Sequence, residues 1–150
     1  MNLKVKIRLA LAGAIMLVAP ANAFAASNII VHRDPGCGCC GIWAKQISQQ
    51  LGRKATISDN PKRGALVQRL GVPDSLGSCH TAIIDGVVVE GHVPAADIKR
   101  FIAARPKGMT GIAVGGMPLG SPGMEVPGRK PHPYSVMAFG PGRQALFAKH

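Results

Sequence analysis

Three of the four cysteines of this chain fall within four residues, in the stretch Asp34-Pro35-Gly36-Cys37-Gly38-Cys39-Cys40-Gly41-Ile42-Trp43. Thiols so placed can do two kinds of chemistry. They can exchange disulfides, or they can hold a soft metal ion, and both need the thiolate. Cys37 and Cys40 form a C-x-x-C pair, and Cys37 and Cys39 a C-x-C pair. Cys39 and Cys40 are adjacent, and neighbouring cysteines rarely bond each other. Such crowding makes a poor structural staple, because closing so short a loop constrains little. The fourth cysteine, Cys79, lies far downstream.

The elements around these cysteines follow from hydrophobic pattern. Residues 28–33 (Asn-Ile-Ile-Val-His-Arg) read as a short strand ended by Asp34-Pro35-Gly36. Residues 41–51 read as a helix with Ile42, Trp43, Ile47 and Leu51 on or near one face and Gly52 as its C-cap. The cysteine trio therefore sits at a strand-to-helix turn, where the helix N-terminus favours negative charge. Residues 54–58 alternate as a second strand. Asp59 or Asn60 can cap a second helix with Pro61 in its first turn, running to Leu70 and closed by Gly71. Residues 81–84 and 87–90, joined by Asp85-Gly86, are the clearest hairpin in the chain. A third helix spans about 95–104, with Ile98, Phe101 and Ile102 facing inward.

The order is β-α-β-α-β-β-α, an α/β chain on the thioredoxin-like plan. In that plan the first turn carries the cysteines, and the residue that starts the third strand lies beside them. That residue is here Cys79, in Ser78-Cys79-His80-Thr81, so four sulfurs are expected to converge. Beyond residue 106 the chain is rich in Gly and Pro yet holds many apolar residues, among them Met109, Met117, Met124, Tyr134 and Phe139. An irregular Gly/Pro-rich C-terminal wrap over the domain is expected, with 136–139 as a short strand.

Four converging thiolates can hold zinc tetrahedrally. Adjacent cysteines diverge, however, and suit neighbouring ions with bridging sulfurs better than one shared ion. Soft thiolate sets select copper(I). The alternatives are a zinc site, a redox disulfide of Cys37 with Cys40, and a non-enzymatic interaction module with structural cysteines. A redox enzyme has little use for a fourth thiol beside its pair.

The sequence resembles the CopG-like periplasmic copper-handling family, which is distinct from the DNA-binding repressor of similar name. The resemblance is carried by Asp34-Pro35-Gly36-Cys37-Gly38-Cys39-Cys40, Ser78-Cys79-His80-Thr81-Ala82, Glu90-Gly91-His92-Val93-Pro94-Ala95 and the stretch from Gly116 to Glu125. It implies a thioredoxin-like fold, a cysteine-bridged multinuclear copper(I) cluster and a place in copper resistance. By position it implies Cys37, Cys39, Cys40 and Cys79 as ligands, with copper-efflux or copper-chaperone proteins as partners.

His80, His92, Met117 and Met124 are candidates for auxiliary or surrounding roles. His80 follows Cys79, and strand alternation would turn it to the other face. Met117 and Met124 lie in a Gly/Pro loop, where they could shield a cluster or relay copper. Trp43 reads as core, and Asp34 as a cap of the first turn. No catalytic constellation is apparent: there is no Ser-His-Asp set, phosphate-cradling loop or paired carboxylate.

Residues 1–25 read as a secretory signal peptide, with Lys4, Lys6 and Arg8 ahead of an apolar run too short to span a membrane comfortably. Cleavage after Ala25 removes those three basic residues from a net charge of +11. The remaining excess suits a basic periplasmic surface. Nucleic acid is excluded as a partner, because the basic residues are scattered and aromatics make up only 4% of the chain. The expected organisation is a signal peptide (1–25), a copper-binding core (26–106) and a C-terminal extension packed on it (107–150), with no membrane span after cleavage.

Overall fold

The computed structural model describes residues 28–150. The expected signal peptide lies outside them. Strand β1 (Ile29–Arg33) leads into α1 (Gly38–Leu51), followed by β2 (Ala55–Asp59) and α2 (Arg63–Arg69). A single 3-10 turn (Asp74–Leu76) precedes β3 (His80–Ile84) and β4 (Val87–Glu90), then α3 (Ala95–Ala104). Three further strands follow: β5 (Gly111–Ala113), β6 (Ser135–Gly140) and β7 (Arg143–Lys149).

All seven strands form one sheet in the order β2-β1-β3-β4-β5-β6-β7. β1 pairs parallel with β2 and antiparallel with β3, and β4 pairs parallel with β5. The alternation of a strand sorts its side chains to two faces. Val87 and Val89 of β4 join the core made with Trp43, Ala44 and Ile47 of α1 and Ile98 and Phe101 of α3. Val88 joins Val72, Leu76, Ala113 and Phe139, with Val67 of α2, on the other side. Every residue of β4 is buried, so the sheet is covered on both faces at β4, while Ile30 of β1 and Ile83 of β3 stay exposed; the expected mixed α/β class holds.

The C-terminal part differs from expectation. The strand expected at 136–139 is present within β6, but two strands not expected, β5 and β7, flank it in the sheet. The signal lay in Gly140-Pro141-Gly142, where Gly142 takes φ +65°, a backbone setting that glycine adopts without strain. That turn folds β7 back on β6. Residues 114–134 between β5 and β6 contain no strand or helix.

Helix α1 starts earlier than its apolar pattern suggests. Cys37 is the N-cap residue, and Cys39 and Cys40 lie in the first turn. Gly52 closes the helix as expected, at φ +63°. The turn Asp85-Gly86 has positive φ at both positions (50° and 76°), as a two-residue hairpin turn requires.

Candidate metal centre

The turn between β1 and α1 and the residue before β3 face each other across a short backbone link. The Asp34 N–H donates to the Cys79 carbonyl at 3.1 Å, and the Cys37 N–H to the Asp34 carbonyl at 3.2 Å. Asp34 therefore shapes the turn through its backbone; its carboxylate does not cap α1.

This link brings all four sulfurs within 4.8 Å of one another. Cys37 and Cys40 are joined as a disulfide, and Cys39 and Cys79 are free. Each free sulfur touches one disulfide sulfur: Cys39 lies 3.3 Å from Cys37, and Cys79 3.4 Å from Cys40. Cys39 and Cys79 are 4.0 Å apart. Cys37 and Cys39 are half-buried, whereas Cys40 and Cys79 are buried.

Both candidate histidines reach this cluster. His92 Nε2 lies 3.3 Å from the Cys79 sulfur and 3.7 Å from that of Cys39. Its Nδ1 is 2.8 Å from the Pro122 carbonyl. A carbonyl can only accept, so Nδ1 carries the proton and the neutral ring points its Nε2 lone pair at the two sulfurs. Burial lowers the His92 pKa, against the opposing pull of the Pro122 carbonyl, and favours that neutral form. A second hydrogen bond that fixes the tautomer of a ligating imidazole is the usual support of a metal site.

His80 is also close, with Nδ1 3.6 Å from the Cys79 sulfur. Strand alternation does not separate them, because Cys79 precedes β3 and its side chain is not bound by the pleat. The His80 ring sits 4.3 Å from Trp43 and 4.8 Å from His92, centroid to centroid. Trp43 is held in turn by donating from Nε1 to the Val93 carbonyl at 3.0 Å. Burial, then the nearby His92 and Arg63, push the His80 pKa down to about 3. Its Nε2 is buried and has no hydrogen-bond partner.

Burial pushes the Cys79 thiol up to about 11, with Cys39 adding to the effect. A proton is thus hard to remove there unless a cation replaces it.

The loop that supplies the Pro122 carbonyl is seated on α1. Gly123 has φ +81°, and a Cβ there would lie 2.8 Å from the Trp43 nitrogen and 2.9 Å from the Cys39 carbonyl. Only glycine permits that approach. Met124 is half-buried in this loop, and Met117 is exposed.

Two buried charged residues beside the cysteine segments are not singled out by the hydrophobic pattern. Arg63, buried in α2, and Glu90, buried in β4, form an ion pair at 3.0 Å. A charged residue ending the apolar run Val-Val-Val-Glu was the available signal, since a carboxylate is seldom buried without a partner.

A family model described as a protein of unknown function, DUF411, matches residues 76–124. No curated protein matches the chain. Among solved structures, one titled copper resistance protein CopG, form 1, is 44% identical with a TM-score of 0.75; the match covers 83% of this chain and 98% of that one. Form 2 is 45% identical with a TM-score of 0.74, covering 82% and 97%.

Proposed function

The chain belongs to the family of the copper resistance protein CopG, and from that membership we propose that it is a periplasmic copper-binding protein. It holds copper(I) on Cys37, Cys39, Cys40 and Cys79 as a thiolate-bridged multinuclear cluster. The role is copper resistance, by sequestration or by transfer to a copper-efflux or copper-chaperone protein. Export by residues 1–25 belongs to the same proposal. Among the described residues no helix is long and apolar enough to cross a membrane.

The observation that carries this reading is the donor set. Four sulfurs lie within 4.8 Å of one another, and a neutral imidazole lone pair aims at two of them. The set is soft at its four sulfurs and borderline at the imidazole, and suits copper(I) over hard cations. Copper(I), when bound, supplies a soft centre that thiolates can bridge. His92 is the added donor best oriented by its surroundings, and His80 lies behind it against Trp43. The half-buried Met124 and the exposed Met117 suit shielding or relay. Residues 26–106 act as the copper-binding core on a thioredoxin-like plan, supported by the strand order β2-β1-β3-β4. Residues 107–150 form an extension that covers the site through Pro122 and Gly123.

The disulfide makes copper capacity depend on redox state. With Cys37 and Cys40 oxidised, Cys39, Cys79 and His92 remain as donors, separated by 4.0, 3.7 and 3.3 Å. Donors bound at about 2.0–2.3 Å to one trigonal ion lie roughly 3.5–4 Å apart. The oxidised protein therefore binds one copper, and two-electron reduction by a dithiol, which returns Cys37 and Cys40 as thiols, raises the capacity. Anaerobic copper(I) titration with elemental analysis tests this. More than one copper per reduced chain is expected, with a strong loss in Cys79→Ser. Less than one copper per reduced chain, or no effect of Cys79→Ser, would contradict it.

A second reading, thiol-disulfide exchange with Cys37 attacking and Cys40 resolving, is favoured by the disulfide itself. Insulin reduction that needs Cys37 and Cys40 but tolerates loss of Cys39 and Cys79 would support it.

A further inference from the structure

Two separate segments carry the sulfurs: the turn before α1 and the residues entering β3. Both are gripped by one side chain. Arg63 donates from Nε and Nη2 to the two Asp34 carboxylate oxygens, at 2.8 and 3.1 Å. Its Nη2 also donates to the Ser78 carbonyl. Its Nη1 reaches Glu90 Oε1 at 3.0 Å and Thr81 Oγ1 at 3.1 Å. Glu90, wholly buried, accepts from the Ser78 N–H at 2.8 Å and from the Thr81 hydroxyl at 2.5 Å.

We propose that Arg63, braced by Glu90, is the positioning residue of the sulfur site: it holds the Cys79 segment against the Cys37–Cys40 turn at the spacing a shared metal needs. The inference rests on the metal-binding reading above. Arginine suits the task because its guanidinium is a planar fork of five donors that can serve several acceptors at once. Here the fork serves Asp34, three residues before Cys37, and Ser78, one residue before Cys79. A lysine keeps the charge but cannot span both segments. Glu90 fixes the fork from behind and takes the Ser78 N–H, so both backbone groups of Ser78 are held.

The two halves of the site respond differently to this brace. Cys37 and Cys40 belong to one local turn and meet without it. Cys79 comes from a distant part of the chain; the β1–β3 ladder ends one residue short of it, at Arg33 opposite His80, and beyond that ladder one backbone hydrogen bond, Asp34 to Cys79, and the brace hold it to the turn. A plain structural ion pair between α2 and the sheet would affect melting temperature but leave sulfur geometry in the folded protein unchanged.

The test uses the full chain in a Cys37→Ser background, reduced, metal-free and then treated with diamide. Differential alkylation and peptide mass spectrometry follow the rate of Cys40–Cys79 cross-linking. Arg63→Met is expected to slow it by about tenfold or more, with Arg63→Lys and Glu90→Gln between it and the parent, since small misplacements cost reacting pairs heavily. On the native background, Cys37–Cys40 formation stays within about twofold in every variant. Copper(I) affinity, measured by competition with bicinchoninate, is expected to fall in the same rank order. Cross-linking within about twofold of the parent in folded variants would overturn the proposal. Should far-UV circular dichroism show Arg63→Met unfolded, Arg63→Lys and Glu90→Gln decide on the same criterion. If the parent takes up no copper, the copper reading fails, while the cross-linking rates still decide whether Arg63 positions Cys79.

Discussion

The sulfur site has a rim and a floor. Cys37 and Cys39 form the rim, half-buried at the start of α1. Cys40 and Cys79 form the floor, buried, with the His92 lone pair beside Cys79. The rim is local, made by one turn of chain. The floor is assembled from α1, the entry to β3, the segment after β4 and the loop bearing Pro122. A site built this way can exchange metal at its rim and retain it at its floor. Specificity then lies in the part that only the folded chain can make.

Substitution tests that division most strongly. Cys79→Ser is expected to lower copper(I) affinity more than the roughly 10–100-fold that loss of an outer partner of a ligand typically costs, and more than Cys37→Ser does. Competition titration reads this directly, and equal losses at the two positions would erase the division. Alkylation comes next. With its thiol pushed up to about 11, Cys79 should react with iodoacetamide at neutral pH about 100-fold slower than an ordinary cysteine. Mass spectrometry of the metal-free protein with the Cys37–Cys40 disulfide intact should show Cys39 labelled before Cys79.

A smaller effect per step follows from pH. Copper must displace a proton from Cys79 at any pH below about 11, so affinity rises with pH, by about tenfold per unit for that ligand. Competition titrations between pH 6 and 9 should show the rise. A flat profile would mean that binding displaces no proton from Cys79. An effect of the same size per pH unit, confined to a narrower range, falls on folding. His80 is held neutral down to about pH 3, while the unfolded chain takes up its proton near the ordinary value of 6.5. Stability is therefore full above 6.5 and falls as pH drops between these values, by about 1.4 kcal/mol per unit for one histidine. Chemical denaturation of the metal-free protein at pH 7, 6 and 5 should show the loss, and His80→Gln should flatten it.

The rim was legible in the sequence, and the floor only in part. A C-x-C-C trio at a strand-to-helix turn announces itself by spacing, and Cys79 followed from the order of strands. The hairpin at Asp85-Gly86 was legible because its turn chemistry is local. The earlier start of α1 was not, because Cys39 and Cys40 carry no apolar helical signal. Strand β6 was legible at 136–139, whereas β5 and β7 were hidden by the surrounding glycines and prolines, and β7, an edge strand, shows little alternation. Arg63 looked like one more basic residue on a short helix, and only tertiary contact shows it gripping Asp34 and Ser78. The orientation of His92 depends on a backbone carbonyl at Pro122, which side-chain identity does not encode.

In the proposed copper-loaded protein, the rim and floor sulfurs together bridge more than one copper ion. X-ray absorption of the fully reduced, copper(I)-loaded protein tests it most directly. Sulfur-dominated coordination with short copper–copper scattering, lost in Cys79→Ser, is expected. A spectrum with no copper–copper scattering at full loading, unchanged in that variant, would contradict it.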